Sequence, residues 1–294
     1  MLDRIFSILS STWLIHRDTA ISYLPALVAF LNGQEILLQD SESPKAYAVS
    51  FSDRGEGNIN KVDQCGLDNG NIPENAVAVI PIKGVIVEWK SKWLLECIGN
   101  VKSNPSINSV VFMVNSPGGM VSQIDIIASE IKGLGKPSIA LISGMACSAA
   151  MWLISAMDYR IATSKLDVVG SIGAKVTIDD FSGLLEKVGI KFTDLYATKS
   201  ILKDKEFRAL KENNDPKPIT EFVDFINDFF HDSIRKNLGI REDSPVFTGD
   251  TYFAEKGIDL GLINEIATSD YAFNYAYQQG LRNKIINQSK NLNF

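Results

Sequence analysis

From residue 76 onward, the sequence alternates between short β-branched runs and longer amphipathic segments. The runs VAVIPIKGVIVEW, VVFMVN, SIALIS and YRIAT have the composition of buried strands, and segments of about 10–15 residues with helical periodicity separate them. Alternation of this kind predicts βαβ units with right-handed crossovers. Near-continuous apolar strands also predict a sheet that is covered on both faces. We therefore expect an α/β domain with a mainly parallel sheet over residues 76–278.

The segments on either side of this domain have a different composition. Residues 1–38 carry an apolar stripe that is typical of amphipathic helices, whereas residues 39–75 are rich in Asp, Ser, Gly and Asn. We expect an N-terminal helical segment followed by a linker or long loop. The Asn-rich end of the chain, residues 279–294, is expected to be a loose tail.

One uncharged segment raises the question of a membrane span. Residues 138–157 contain no charged side chain and are long enough to cross a bilayer. Four serines and a glycine interrupt this segment, however. Its first part, SIALIS, has strand character and its second part, ACSAAMWLISAM, has helical character. This division favours a buried strand-turn-helix.

Composition excludes several kinds of partner and cofactor. The net charge is −6 and no basic block is present, so we expect no nucleic-acid binding. Cys65, Cys97 and Cys147 are widely spaced and form no CxxC pair, which argues against a disulfide framework and a structural zinc site. The chain has two histidines, His16 and His231, on which any histidine base or multi-histidine metal site would depend. We expect no metal and no cofactor.

Two turns that each join a strand to a helix carry the candidate chemistry. The first, Asn115-Ser116-Pro117-Gly118-Gly119, follows the strand VVFMV. Its glycines and proline suit a tight turn. They also let a ligand approach backbone N–H groups that can bind an oxyanion near a helix N-terminus. The spaced GxGxxG pattern of dinucleotide sites is absent from this turn.

The second turn, SGMACSAA, contains two candidate nucleophiles, Ser148 and Cys147. Adjacent positions on a helix point about 100° apart, so only one of the two is expected to face a site. Ser148 would lie near the N-terminus of the following helix, where it can also serve as an N-cap or in close packing. Two such turns side by side in one sheet form the kind of crevice where α/β proteins bind ligands.

An activated serine needs a general base. His16 lies in the N-terminal segment, and His231 is expected on the polar side of the helix EFVDFINDFFHDSIRKNL. The remaining common base is a lysine whose pKa is lowered by burial. Lys203, in ATKSILKD after the predicted strand IKFTDLYA, is one candidate and Lys199 is the alternative. Either can instead be a solvated lysine in a polar run.

An ordered set of motifs resembles the signal peptide peptidase A family of serine peptidases. The motifs span residues 77–267 and are NSPGG, SGMACSAAMW, DYRIAT, VVGSIGA, ATKSILKD and VFTGDTYFAEKGIDLGLINEI. The resemblance implies a Clp/crotonase-type fold of repeated ββα units and a serine–lysine dyad in place of a histidine triad. It assigns Ser148 as nucleophile and Lys203 as general base. Gly118 and the backbone N–H of Ala149 would form the oxyanion hole.

The resemblance also assigns supporting roles and shows two departures. Ser171, in GSIG, would help to orient the lysine, and Gly119 would support the oxyanion turn. Members often have two glycines after the nucleophile, where this chain has two alanines. The family's lysine motif usually carries a glycine before the base, which ATKSILKD does not, so Lys199 stays open as the alternative base.

A chain with one core and without the anchor of the signal-peptide enzymes resembles the phage and prophage branch of the family. That branch implies head-maturation proteolysis of capsid or scaffold proteins, a homo-oligomer in which a neighbouring subunit can supply the lysine, and no stable membrane anchor. The expected location is the cytoplasm of a bacterial or phage-infected cell, or the assembling procapsid.

Three other functions remain as alternatives. A signal-peptide-degrading peptidase without its own anchor would use the same dyad. A crotonase-like acyl-CoA enzyme would need a carboxylate base, and neither turn contains one. An inactive structural homologue in capsid assembly would need no base.

Overall fold

The computed structural model describes residues 13–15, 45–51, 57–60, 67, 72–177 and 193–291. The strands in this part of the chain are β1 (Trp13–Ile15), β2 (Tyr47–Phe51), β3 (Gly57–Asn60), β4 (Ala76–Lys83), β5 (Ile107–Ser116), β6 (Gly118–Met120), β7 (Ser138–Cys147), β8 (Tyr159–Ala162), β9 (Val168–Gly170), β10 (Thr251–Phe253) and β11 (Glu265–Ile266). The α-helices are α1 (Glu88–Ser103), α2 (Ile124–Lys132), α3 (Ala149–Ser155), α4 (Lys205–Asn213), α5 (Lys217–Leu238), α6 (Ala254–Asp259) and α7 (Ser269–Asn291).

Most of these strands belong to one mixed sheet with the order β10-β9-β7-β5-β4-β2-β3, in which β8 also pairs with β7 and β11 pairs with β8. The central pairs β4–β5, β5–β7, β7–β8 and β7–β9 are parallel. Antiparallel pairs occur where β2, β3 and β10 are added. The predicted α/β fold with a mainly parallel sheet is confirmed.

Both faces of the central sheet are covered, as the apolar strands predict. In β4 every residue except Lys83 is buried. One face packs in the main core with the buried side chains of α1, α2 and α3. On the other face, Ala272 and Ala276 of α7 pack in one cluster with Val77, Val111 and neighbouring strand residues. Burying each Val, Leu or Ile side chain of this core contributes about 1.5–3 kcal/mol.

The segments outside residues 76–278 differ from the sequence-based expectation where the structure describes them. Residues 13–15, inside the predicted helical segment, form strand β1, and the predicted linker contributes β2 and β3 to the sheet. The remainder of 1–38 lies outside the described residues. Strand edges present unpaired backbone groups that recruit further strands, and this pairing overrides weak local propensity.

The end of the chain is also more ordered than predicted, because α7 continues through Asn291. Two side chains beyond residue 279 bind distant backbone or side-chain atoms: Asn283 donates to the carbonyl of Gly135 (3.0 Å) and Lys284 donates to Oδ1 of Asn75 (2.9 Å). The Asn-rich composition therefore reflects a polar helix surface over residues 279–291, not a loose tail.

The uncharged segment 138–157 forms β7, a turn and α3. All seven residues of α3 are buried in the core, which confirms the strand-turn-helix interpretation. Within the described part of the chain, no helix combines the length and the hydropathy needed to cross a membrane.

Candidate active site

Ser148 lies between β7 and α3 in a backbone conformation that is rare for a residue with a side chain. Its φ is 55° and its ψ is −121°, and positive φ brings Cβ against the backbone. Such strain costs about 1–3 kcal/mol and persists only where the surroundings impose it. Ser148 precedes the first residue of α3, yet its side chain makes no capping hydrogen bond. Capping therefore does not explain this serine, which occupies a strand-to-helix elbow of the kind that carries nucleophiles.

Hydrogen bonds on both sides hold the backbone of Ser148. Its N–H donates to the carbonyl of Gly170 at the end of β9 (2.9 Å), and its carbonyl accepts from the N–H of Trp152 in α3 (3.0 Å). Ser171 follows Gly170 and donates its N–H to the carbonyl of Asp250 (2.7 Å). Backbone hydrogen bonds therefore join the serine turn to the GSIG motif, and the GSIG motif to the segment around Asp250.

A buried carboxylate shapes the strand that leads to Ser148. The first half of β7 pairs with β8 and the second half pairs with β9. Asp167 bridges this change of partner, because it accepts from the N–H of Gly144 (2.7 Å), Thr163 (2.8 Å) and Ser164 (2.9 Å). Sequence analysis did not single out Asp167, although a lone acid before VVGSIG was the available signal.

Gly118, the predicted oxyanion-hole donor, has a φ of 101° that favours glycine. Its N–H donates to Oγ of Ser116 (3.2 Å), and that hydroxyl donates to the carbonyl of Gly84 (2.7 Å). Binding of an oxyanion by Gly118 would therefore exchange a long hydrogen bond to a neutral hydroxyl for a charge-assisted one, which is stronger. Sequence analysis placed Ser116 in the turn but assigned it no role.

Gly119 is required by close backbone packing. A Cβ at this position would lie 2.0 Å from the carbonyl oxygen of Ile86. Ile86 clamps the turn, because its N–H donates to the carbonyl of Gly118 and its carbonyl accepts from the N–H of Met120, both at 2.9 Å. Lys90 braces the segment before Ile86, since its ammonium donates to the carbonyls of Lys83 (2.8 Å) and Val85 (2.9 Å).

The register of the sheet places the two turns side by side. Ser116 on β5 pairs with Ala146 on β7, so Gly118 and Ser148 each lie two residues beyond a matched pair. The first N–H groups of a helix have no partner within the helix, and Ala149 is the first residue of α3. The register therefore places the turn that contains Gly118 next to the turn that contains Ser148.

The candidate lysines lie elsewhere in this single chain. Lys199 and Lys203 are exposed in the segment between residue 193 and α4, and the N–H of Lys203 donates to the carbonyl of Ser200 (3.1 Å). Within the described residues, the structure brings neither ammonium into contact with Ser148. The predicted strand IKFTDLYA lies partly outside the described residues, and residues 193–197 have no regular structure.

Cys147 and His231, the other candidate nucleophile and base, lack the environment of a reactive residue. Burial raises the pKa of the Cys147 thiol to about 12, so it is not a thiolate near neutral pH. His231 is half-buried, not on a solvated face as expected: its ring packs 4.9 Å from Phe247, and Nε2 lies 3.4 Å from the carbonyl oxygen of Ile172. Burial lowers the pKa of His231. His16 and Cys65 lie outside the described residues.

No group of three or more His, Cys, Asp or Glu side chains in the described ranges is arranged to hold a metal ion.

Comparison with known proteins assigns the family. The family model for Clp protease matches residues 78–168, and that for peptidase family S49 matches residues 130–281, slightly more than half of the chain. The chain belongs to peptidase family S49. The predicted resemblance to the signal peptide peptidase A family, with its Clp/crotonase-type fold, is confirmed.

This S49 chain is similar to proteins of cellular and viral origin. A protein of Methanocaldococcus jannaschii named as a protease is 29% identical, covering 62% of this chain and 59% of its own. Protease 4 of Haemophilus influenzae is 27% identical over 72% of this chain and 36% of its own. Capsid assembly protease C of Escherichia phage lambda is 25% identical over 66% of this chain and 47% of its own. The S49 chain therefore matches only about a third to three fifths of the length of these relatives.

Proposed function

We propose that this S49 chain is a serine endopeptidase in which Ser148 attacks the peptide carbonyl. The observation that carries the proposal is the strained, buried serine at the end of β7, next to the glycine turn on the neighbouring strand. Strain at a non-glycine residue persists only where the fold imposes it, and it concentrates at functional sites.

In the proposed mechanism, the neutral amine of Lys203 takes the proton from Oγ of Ser148 as the oxygen attacks the carbonyl carbon. The N–H groups of Gly118 and Ala149 stabilise the tetrahedral oxyanion, and each such donor is worth about 2.7–4 kcal/mol. The protonated Lys203 then delivers its proton to the leaving amine. Water attacks the acyl-enzyme and restores Ser148, while Ser171 helps to orient the lysine.

Lys203 would complete the site as part of a second copy of this chain. A lysine acts as a base when burial removes water from its ammonium, and Lys203 is exposed in the single chain. Large apolar side chains around it are also exposed, including Leu195 (90%), Ile201 (72%) and Leu202 (69%). Exposed apolar surface of this kind marks protein–protein contacts. A neighbouring subunit that packs on this segment would cover these apolar side chains and at the same time remove water from the ammonium of Lys203.

The phage relative supports a more specific role, since it is named as a capsid assembly protease. We propose that the substrate is a capsid or scaffold protein, cut in the bacterial or phage-infected cytoplasm or in the assembling procapsid. Co-expression with candidate capsid and scaffold proteins, followed by mass spectrometry of the products, tests this. Cleavage of signal peptides with no cleavage of capsid or scaffold proteins would favour the signal-peptide alternative.

The dyad is tested with single variants on a casein substrate. Ser148→Ala is expected to lower kcat by roughly 10⁴-fold or more, while far-UV circular dichroism and the unfolding midpoint stay close to those of the wild type. Lys203→Ala is expected to do the same, and Lys199→Ala serves as the matched control from the same exposed segment. Full activity of Ser148→Ala would refute the mechanism, and loss in Lys199→Ala alone would reassign the base.

Subunit complementation tests where the lysine comes from. If the dyad forms across an interface, mixing and reassembling the inactive Ser148→Ala and Lys203→Ala chains restores roughly a quarter of the sites, because random pairing joins an intact serine to an intact lysine at that frequency. A dyad within one chain restores none.

A further inference from the structure

The edge of the strand that carries Gly118 is occupied by a distant part of the same chain. β1 lies antiparallel to β6, with Ile15 opposite Gly118, Leu14 opposite Gly119 and Trp13 opposite Met120. These two strands form a separate two-stranded sheet outside the main one. The partners are about a hundred positions apart in sequence, so no local turn imposes the pairing.

The hydrogen-bonding directions show which edge β1 covers. The carbonyl of Gly118 and the N–H of Met120 both face Ile86 on one side of β6. Backbone groups of successive strand residues point to opposite sides, so the N–H and carbonyl of Gly119 face the other side, where Leu14 lies opposite. β1 therefore covers the edge of β6 that Ile86 leaves open.

An extended peptide added to that open edge would hydrogen-bond to Gly119, the residue next to the proposed oxyanion donor Gly118. A chain segment that adds to a strand edge gains main-chain hydrogen bonds and is held in register. The residue opposite Gly119 then exchanges main-chain hydrogen bonds with it, and the next residue of the peptide lies opposite Gly118. In the structure these two positions are taken by Leu14 and Ile15 of the chain itself.

We propose that residues 13–15 are a built-in competitor for the peptide-binding edge of β6, so that a peptide substrate must displace β1 before it can reach Ser148. This inference rests on the proposed peptidase function. Two opposing effects make the device reversible. A three-residue pairing is short and makes few ladder hydrogen bonds, whereas attachment to the same chain makes the pairing of β1 intramolecular and so raises its effective concentration. The kind of ligand that the edge accepts is an extended peptide.

The test measures peptide binding in the Ser148→Ala background, where no cleavage is needed. The probe is a fluorescein-labelled copy of residues 11–17, STWLIHR, and binding is followed by anisotropy. Leu14→Pro removes the N–H that faces Gly119 and disfavours pairing. Leu14→Ala keeps the backbone and is the matched control. We expect Leu14→Pro to bind the probe at least about threefold more tightly than Leu14→Ala, because the competitor is removed.

Amide hydrogen exchange supplies a second readout that does not depend on the probe. The amide of Gly119 is expected to be protected in the Ser148→Ala chain and in its Leu14→Ala variant, and to exchange faster in Leu14→Pro, while the amides of β5 and β7 keep their protection. That comparison also establishes that Leu14→Pro has kept its fold. If Leu14→Pro does not fold, the exchange of Gly119 in the Ser148→Ala chain decides the question, since an unprotected amide there excludes a resident β1.

Several outcomes overturn the inference. Equal probe affinity in Leu14→Pro and Leu14→Ala, or no probe binding to any variant, refutes competition at this edge. Loss of the residues before His16 from the wild type but not from Ser148→Ala would identify β1 as a substrate that is cut, not a retained competitor. A wild-type chain that cleaves no protein, with tighter probe binding in Leu14→Pro, would refute the peptidase proposal while supporting the competing strand.

Discussion

Gly119→Ala tests whether the contact between β6 and Ile86 positions the oxyanion turn. A Cβ at residue 119 would lie 2.0 Å from the carbonyl oxygen, 2.6 Å from the nitrogen and 2.7 Å from the carbonyl carbon of Ile86. All three are backbone atoms, held by hydrogen bonds to Gly118 and Met120 at 2.9 Å. Rotation of a side chain therefore cannot relieve the overlap.

The size of the displacement follows from these distances. Ordinary contact begins at 3.4 Å, so the 2.0 Å approach must open by about 1.4 Å along its direction. A misplacement of about 1 Å lowers a rate roughly 10²-fold, and loss of one oxyanion donor lowers kcat by about 10²–10³-fold. We expect kcat/KM of Gly119→Ala to fall about 100-fold. Disruption of the two clamping hydrogen bonds is expected to cost about 1–3 kcal/mol of unfolding free energy.

The assay is hydrolysis of fluorescent casein, with the fraction of folded protein taken from urea unfolding under the same conditions. Gly99→Ala is the matched control: Gly99 lies inside α1, no atom beyond its chain neighbours and the backbone of its own helix lies within 4 Å of its Cβ position, and alanine stabilises a helix interior by about 1 kcal/mol relative to glycine. Wild-type kcat/KM in folded Gly119→Ala would refute the positional argument, and so would an equal loss in Gly99→Ala.

Three further variants or conditions test other parts of the structure. Lys90→Met removes both hydrogen bonds that brace the segment before Ile86; we expect a loss of about 1–3 kcal/mol in urea unfolding and a lower kcat, with partial recovery in Lys90→Arg. Burial lowers the pKa of His231, so the folded state disfavours protonation of this ring. Its contribution to stability is therefore present above the unfolded pKa and is lost as pH falls, so unfolding free energy measured from about pH 7.5 to about pH 5 should decline less in His231→Gln than in the wild type. Cys147, with its pKa raised to about 12, is expected to resist iodoacetamide at about pH 8 until the chain unfolds, as followed by peptide mapping; labelling in the folded state would contradict its burial.

The central sheet and the two turns could be predicted because their signals are local. Glycine, proline and serine interrupt apolar runs at the ends of β5 and β7, and parallel strands bring such turns to one edge of a sheet. The positive φ of Ser148 could not be predicted in this way. It depends on the hydrogen bond to Gly170, more than twenty residues away.

The other features that sequence analysis did not predict also depend on residues far away in the sequence. β1 lies within a segment with helical periodicity, but its conformation is set by a partner on β6. The half-buried position of His231 depends on the loop after β9 and on Phe247. The environment of Lys203 is expected to depend on a second chain, about which periodicity and composition carry no information.

The complete burial of α3 has a consequence for how Ser148, the proposed nucleophile, is held between reaction cycles. Trp152 stacks on Phe230 at 4.7 Å with an interplanar angle of 11°, and Ala149 and Ala150 are fully enclosed. A residue attached to such a helix moves with the core and gains freedom only when the core opens. The entropy lost in fixing Ser148 is therefore lost once, when the chain folds, and not again each time a substrate arrives.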